Sequence, residues 1–124
     1  MTTDVCVPIS RLADCIDETV ADIAASGLQA PLVGHVGDGN FHLLLLINPD
    51  NPAEVADAQA FSNRLVERAL RMEGTCTGEH GVGIGKQQYL ALEHGEAALD
   101  VMRAIKHALD PDNLMNPGKI FYEA

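Results

Sequence analysis

The stretch LVGHVGDGNFHLLLLI, residues 32–47, decides the fold, because two apolar runs flank the turn-forming residues Gly37, Asp38, Gly39 and Asn40. That pattern predicts a β-hairpin with strands over 32–36 and 41–47. A two-residue turn at Asp38 and Gly39 sets Val36 opposite Phe41 and His35 opposite His42, and a four-residue loop through Gly37 and Asn40 keeps the same pairing. Opposed residues of an antiparallel pair share one face, with Cβ atoms ~5 Å apart. Two of the chain's five histidines are therefore expected side by side.

Upstream, residues 4–8 (DVCVP) are short and β-prone, and Ser10 stands as an N-cap before a helix with Leu12, Ile16, Val20 and Ile23 on one face and Gly27 at its end. Downstream, Asn51 is a cap, Pro52 suits the first helical position, and Glu54 sits where a capping box wants an acid. Val55, Phe61, Leu65 and Met72 then recur at helical spacing up to Gly74. The order is β-α-β-β-α. Residues 75–86, TCTGEHGVGIGK, break the pattern as a glycine-rich loop. A last helical region runs to about Leu109, with Met102, Ile105 and Leu109 on one face, and Asp110 and Pro111 stop it. With no repeat or linker, the expectation is a single α+β domain over 1–124, ferredoxin-like, with helices on one face of a mainly antiparallel sheet. Ile120, Phe121 and Tyr122 follow a turn with nothing left in sequence to pair with, so docking on another chain, as a homo-oligomer, or on a further domain is expected.

Composition narrows the function. The chain is 47% apolar and 21% charged, an ordinary globular balance. Its longest aliphatic run, residues 43–47, is too short for a membrane span. The first residues carry no secretory signal, which makes the cytoplasm the expected location. Eight basic against eighteen acidic residues give a formal charge of −10, so a nucleic-acid backbone is repelled. A small anionic ligand needs local positive charge, and a metal ion supplies it. Cys6, Cys15 and Cys76 form no CxxC pair and are expected to be reduced and buried.

Two neutral histidines with one carboxylate and open positions is the ligand set of catalytic zinc and of several iron and manganese sites. The plainer alternative is two polar residues on the wet face of a hairpin. The second cluster, Glu79 and His80 in the glycine-rich loop, favours the metal. Glu79 can complete a set with His35 and His42, leaving His80 free as a general base, since its unperturbed pKa lies near neutrality. The loop is no phosphate cradle: GVGIGK is followed by Gln87 and lacks GxxxxGK[ST] spacing. His94 and His107 receive no role.

Four segments, DVCVPIS (4–10), GHVGDGNFH (34–42), GTCTGEHGVGIGK (74–86) and LDPDNLMNPGKIF (109–121), resemble in wording and order the carboxyl-terminal part of the FAD-linked 2-hydroxy-acid dehydrogenases of the vanillyl-alcohol oxidase type. The D-lactate dehydrogenase (cytochrome) branch is nearest in wording. The resemblance implies that His35, His42 and Glu79 hold a divalent metal, zinc or manganese, gripping the carboxylate and hydroxyl of a small 2-hydroxy acid. His80 takes the hydroxyl proton while hydride leaves for the flavin, and Asn116 matches a position near the flavin. Hydroxyglutarate-type relatives carry a substrate-contacting asparagine two residues after the second metal histidine. Here that position is Leu44, which favours lactate or glycolate. The family's flavin domain and the first half of its substrate domain precede the DVCVPIS strand, so FAD is expected to be bound by a domain absent here, and the isolated chain is expected to be inactive. Two alternatives come from other classes: a stand-alone metal-dependent hydrolase that uses the same three ligands with His80 as base, and a non-catalytic module that keeps the fold for oligomerisation or partner binding.

Overall fold

The structure is a computed structural model that describes residues 1–122. The chain divides into two compact units, Met1–His80 and Gly81–Ala124. The first runs β1 (Val5–Cys6), α1 (Ile9–Ser26), β2 (Leu32–His35), β3 (Asn40–Leu43) and α2 (Pro52–Arg71), the expected β-α-β-β-α order in an α+β arrangement. Its sheet is antiparallel with strand order β1-β3-β2.

The central strand explains why FHLLL does not alternate. Phe41, Leu43 and, beyond the strand, Leu45 are buried on one face, while Asn40 and His42 are buried on the other, as a strand covered on both sides requires. The strand is shorter than the apolar run. Past Leu43 only isolated bridges continue, Leu44 with Thr2 and Leu46 with Gln29, because the neighbouring Pro31 has no N–H to donate.

The hairpin register differs from expectation by two residues: Val33 faces His42, Gly34 faces Phe41 and His35 faces Asn40. The turn chemistry explains the shift. A two-residue hairpin turn needs positive φ at its first central residue, in type I′ at both, yet Asp38 lacks it and only Gly39 has it, at 76°. Instead the Asp38 N–H donates to the His35 carbonyl (2.9 Å), and residues 36–39 form the loop. Gly39 is fixed by contact as well as by φ. A Cβ there would lie 2.0 Å from the Val7 carbonyl oxygen, and its own carbonyl accepts from the Val7 N–H at 3.0 Å. Because a slip of two preserves the pleat, His35 and His42 still share a face, now on a diagonal.

α1 begins at Ile9 with Pro8 in the cap position, so Ser10 lies inside the first turn and is not the cap. Its carboxyl end is as expected, with Gly27 left-handed at φ 70°. The buried face is Leu12, Cys15 and Thr19, not Leu12, Ile16, Val20 and Ile23. α2 presents the long Arg68 side chain to α1, and Thr19 accepts from its Nη1 at 3.2 Å, so the interface is partly polar and apolar periodicity misplaces it. In α2 the Asn51 side chain accepts from the Ala53 N–H (3.1 Å) and donates to Glu54 (2.8 Å). Phe61, Leu65 and Met72 are buried as expected; Val55 is exposed and Ala58 takes the inward position.

The second unit holds a 3-10 turn (Gln87–Tyr89), α3 (Leu90–His94) and α4 (Glu96–Leu109). The expected single helical region is broken at Gly95, φ 78°. Of the expected α4 face, Ile105 and Leu109 are exposed, and the helix buries only Leu99 fully. The tail finds a partner: the Gln87 side chain donates to the Gly118 and Phe121 carbonyls at 2.9 and 3.0 Å, and Arg103 lies 5.9 Å from the Phe121 ring centroid. Ile120 and Tyr122 stay exposed. Among the described residues no helix is long and apolar enough to cross a membrane.

Candidate metal centre

His42 sits in the middle of the sheet, its side chain only 8% exposed. Its Nδ1 lies 3.1 Å from the Thr3 carbonyl oxygen. A carbonyl can only accept, so Nδ1 carries the proton and Nε2 is left with a lone pair. Facing that lone pair at 3.0 Å is Glu79 Oε1. With the proton on Nδ1, both atoms are acceptors, and Nε2 is buried without a hydrogen-bond partner. A second ring proton would turn the contact into an ion pair. With the ring neutral, a divalent cation shared by the two atoms satisfies both. Ligands about 2.0–2.1 Å from a tetrahedral zinc stand about 3.3 Å apart, close to this separation.

His35 Nε2 is 3.7 Å from Glu79 Oε2, and its ring meets that of His42 edge-on with centroids 5.9 Å apart. One ligand atom from each of His35, His42 and Glu79 lies within 4.8 Å of the others. Two neutral imidazoles and a carboxylate suit zinc or manganese. The three are unequal in freedom: His35 is 60% exposed at its side chain and Glu79 48%, so His42 is the one held in place before any ion arrives. His80 stands beside the set. Its ring stacks on His42 with centroids 5.0 Å apart and planes 11° apart, and its Nε2 is 3.3 Å from Glu79 Oε1.

The loop carrying Glu79 and His80 reaches the sheet through Thr75, whose N–H donates to the Cys6 carbonyl (2.8 Å). Gly78 is required next, since a Cβ would stand 1.7 Å from Asn40 Nδ2. Two buried polar residues lie against this loop, Asp4 and Asn40, and the sequence marks neither as functional. Asp4 has no spacing to a ligand cluster, and Asn40 reads as a turn residue. Burial, then the nearby acids Asp38 and Asp4, push the Cys6 thiol up, and burial does the same to Cys15, so neither presents the thiolate that a metal binds. Cys15 and Cys76 are buried as expected, but Cys6 is half-exposed. Asn116 belongs to the second unit, where it has φ 51° and lines a pocket of about 240 Å³ with Leu109, Met115, Ile120 and Phe121.

An α+β frame presenting a histidine pair to a Glu–His loop defines a class of protein, and the sequence comparison agrees. Residues 1–120 match the family of FAD linked oxidases, C-terminal domain, and the chain belongs to it. Among its relatives, the probable mitochondrial D-lactate dehydrogenase of Danio rerio is 54% identical over 119 residues, covering 96% of this chain and 24% of that protein. The mitochondrial D-lactate dehydrogenase [cytochrome] 1 of Saccharomyces cerevisiae is 53% identical over 120 residues, 97% of this chain and 20% of that protein. A glycolate oxidase subunit of Bacillus subtilis is 38% identical over 119 residues, 95% and 25% respectively. The chain thus spans about a quarter of the length of these relatives. The cytoplasmic expectation is overturned here, since the Danio and Saccharomyces relatives are mitochondrial by name.

Proposed function

We propose that this chain is the metal- and base-bearing part of the substrate domain of an FAD-dependent D-2-hydroxy-acid dehydrogenase, of the D-lactate or glycolate type. The observation that carries the reading is the 3.0 Å approach of Glu79 Oε1 to the buried, unpartnered His42 Nε2, two acceptors when the ring is neutral. His35, His42 and Glu79 hold zinc or manganese; His80, stacked beside them, takes the substrate hydroxyl proton on its Nε2. A divalent ion held there would supply the charge that neutralises the hydroxy-acid anion, and FAD, held outside these residues with Asn116 beside it, would supply the hydride acceptor. Leu44 lies two residues beyond His42, just past the end of β3, where an apolar side chain supports a substrate with a small or apolar side chain. Val101, Ile105 and Leu109, exposed at helical spacing on α4, together with Ile120 and Tyr122, support docking of this part on the flavin domain or on a second copy.

Titration calorimetry of the purified chain tests the reading. Zinc and manganese each bind with one-to-one stoichiometry, and D-lactate gives heat only with the metal-loaded chain. No metal binding at concentrations up to ~1 mM, the weak end of specific association, overturns it.

A further inference from the structure

We propose that Asp4 is the positioning residue of this site, its carboxylate holding residues 77–80 so that Glu79 and His80 face His42. The inference rests on the reading that Glu79 and His80 act from that loop. Asp4 Oδ2 accepts from the Thr77 hydroxyl (2.9 Å) and from the backbone N–H groups of Gly78 (3.0 Å), Glu79 (3.2 Å) and His80 (2.9 Å). Oδ1 accepts from Asn40 Nδ2 at 2.8 Å. Three consecutive amides outside any helix or strand thus converge on one ionised group, and such charge-assisted bonds are the strong ones.

Both ends of this arrangement are anchored. Asp4 lies between Thr3, whose N–H donates to the Leu43 carbonyl (3.0 Å), and Val5, paired with Phe41. Its side chain is 2% exposed, a placement that is costly unless the carboxylate is fully hydrogen-bonded. Asn40, in β3, is locked by a second donation to the Val5 carbonyl at 3.0 Å. The absent side chain at Gly78 completes the fit, since a Cβ would lie 2.8 Å from Asp4 Oδ1. Asp4 Oδ1 is also 3.7 Å from His42 Nδ1, so one carboxylate stands behind the fixed ligand and carries the backbone of the movable one. Asp4 acts on Glu79 and His80 only through their backbone, which is why it positions them and does no chemistry itself.

The test is Asp4→Asn, which keeps the shape and loses one acceptor oxygen. Amide hydrogen exchange at Gly78, Glu79 and His80 is expected to rise about tenfold while the amides of α2 keep their protection. Zinc affinity by calorimetry falls about 10–100-fold, the range of outer-shell partners. Should Asp4→Asn not fold, Thr77→Val, which removes one donor and leaves the carboxylate, raises exchange at the same three amides about threefold. Unchanged exchange at residues 78–80, or exchange raised equally through α2, overturns the assignment. If the unaltered chain binds no zinc while Asp4→Asn still releases the three amides, the metal reading falls and the positioning role of Asp4 stands.

Discussion

Two charged clusters in the first unit are built from similar residue classes and reach opposite outcomes. Between α1 and α2 each carboxylate meets a guanidinium: Arg64 grips Asp22 with Nε at 3.1 Å and Nη2 at 2.8 Å, Arg68 reaches Asp22 at 2.8 Å, and Arg71 reaches Glu18 at 2.6 Å. At the candidate metal centre the oxygens of Glu79 meet, among the described residues, only imidazoles, at 3.0, 3.3 and 3.7 Å. The first cluster is neutralised from within and fixes how two helices pack. The second leaves a positive charge to be supplied from outside, which is what a binding site needs and a packing contact does not.

The sharpest way to break this contrast is to remove a cation from the self-sufficient cluster. Arg68→Ala takes from Asp22 the more buried of its two guanidinium partners and from Thr19 a buried donor; with Arg64 still on Asp22, the cost is about 3 kcal/mol, the low end for breaking a buried pair, read as a lowered midpoint in urea. The Arg64 hydrogen bond, and then that of Arg68, hold the Asp22 carboxyl below its usual range against the opposing effect of burial. A depressed folded-state pKa gives stability that is present above the unfolded value and is lost as pH falls through the folded value. Stability therefore declines on acidification in the native chain, and less steeply in Arg68→Ala. Next in size is the response to zinc. At a hundredfold excess over Kd, zinc stabilises the chain by about 2.7 kcal/mol, seen as a rise in thermal midpoint. His42→Ala abolishes that rise, whereas Arg68→Ala keeps it, because clusters that share no partner act independently. A zinc response lost in both variants would show that the clusters are coupled and the contrast misdrawn.

The different legibility of these clusters in sequence has a physical cause. Caps and turns are local, so Asn51, Glu54, Gly27 and the presence of a hairpin turn are legible directly, although the loop is residues 36–39 and Asn40 belongs to β3. The register differs by two from the local reading, and Gly39 is held by Val7 across more than thirty residues, a contact that turn chemistry alone does not encode. The histidine pair survived that error because the pleat has period two. The polar α1 face escaped because Thr19 and Arg68 carry no apolar signal. Asp4 escaped because its bonds go to backbone amides of the 77–80 loop, which any sequence would supply. Glu79 and His80 were legible as residue types in a glycine-rich loop, while their approach to His42 exists only in the folded chain.

The smallest expected effect separates ligand from base. His80→Ala removes a ring that stacks on His42 and touches Glu79 Oε1 at 3.3 Å, but it removes none of the three atoms gathered within 4.8 Å. Zinc affinity should fall by no more than about tenfold, the low end for an outer-shell partner, against a loss of about a hundredfold or more for His42→Ala, which deletes one of three protein ligands. A zinc loss in His80→Ala as large as that in His42→Ala would place His80 in the coordination set and leave the site without a free base, which would end the proposed proton-transfer role.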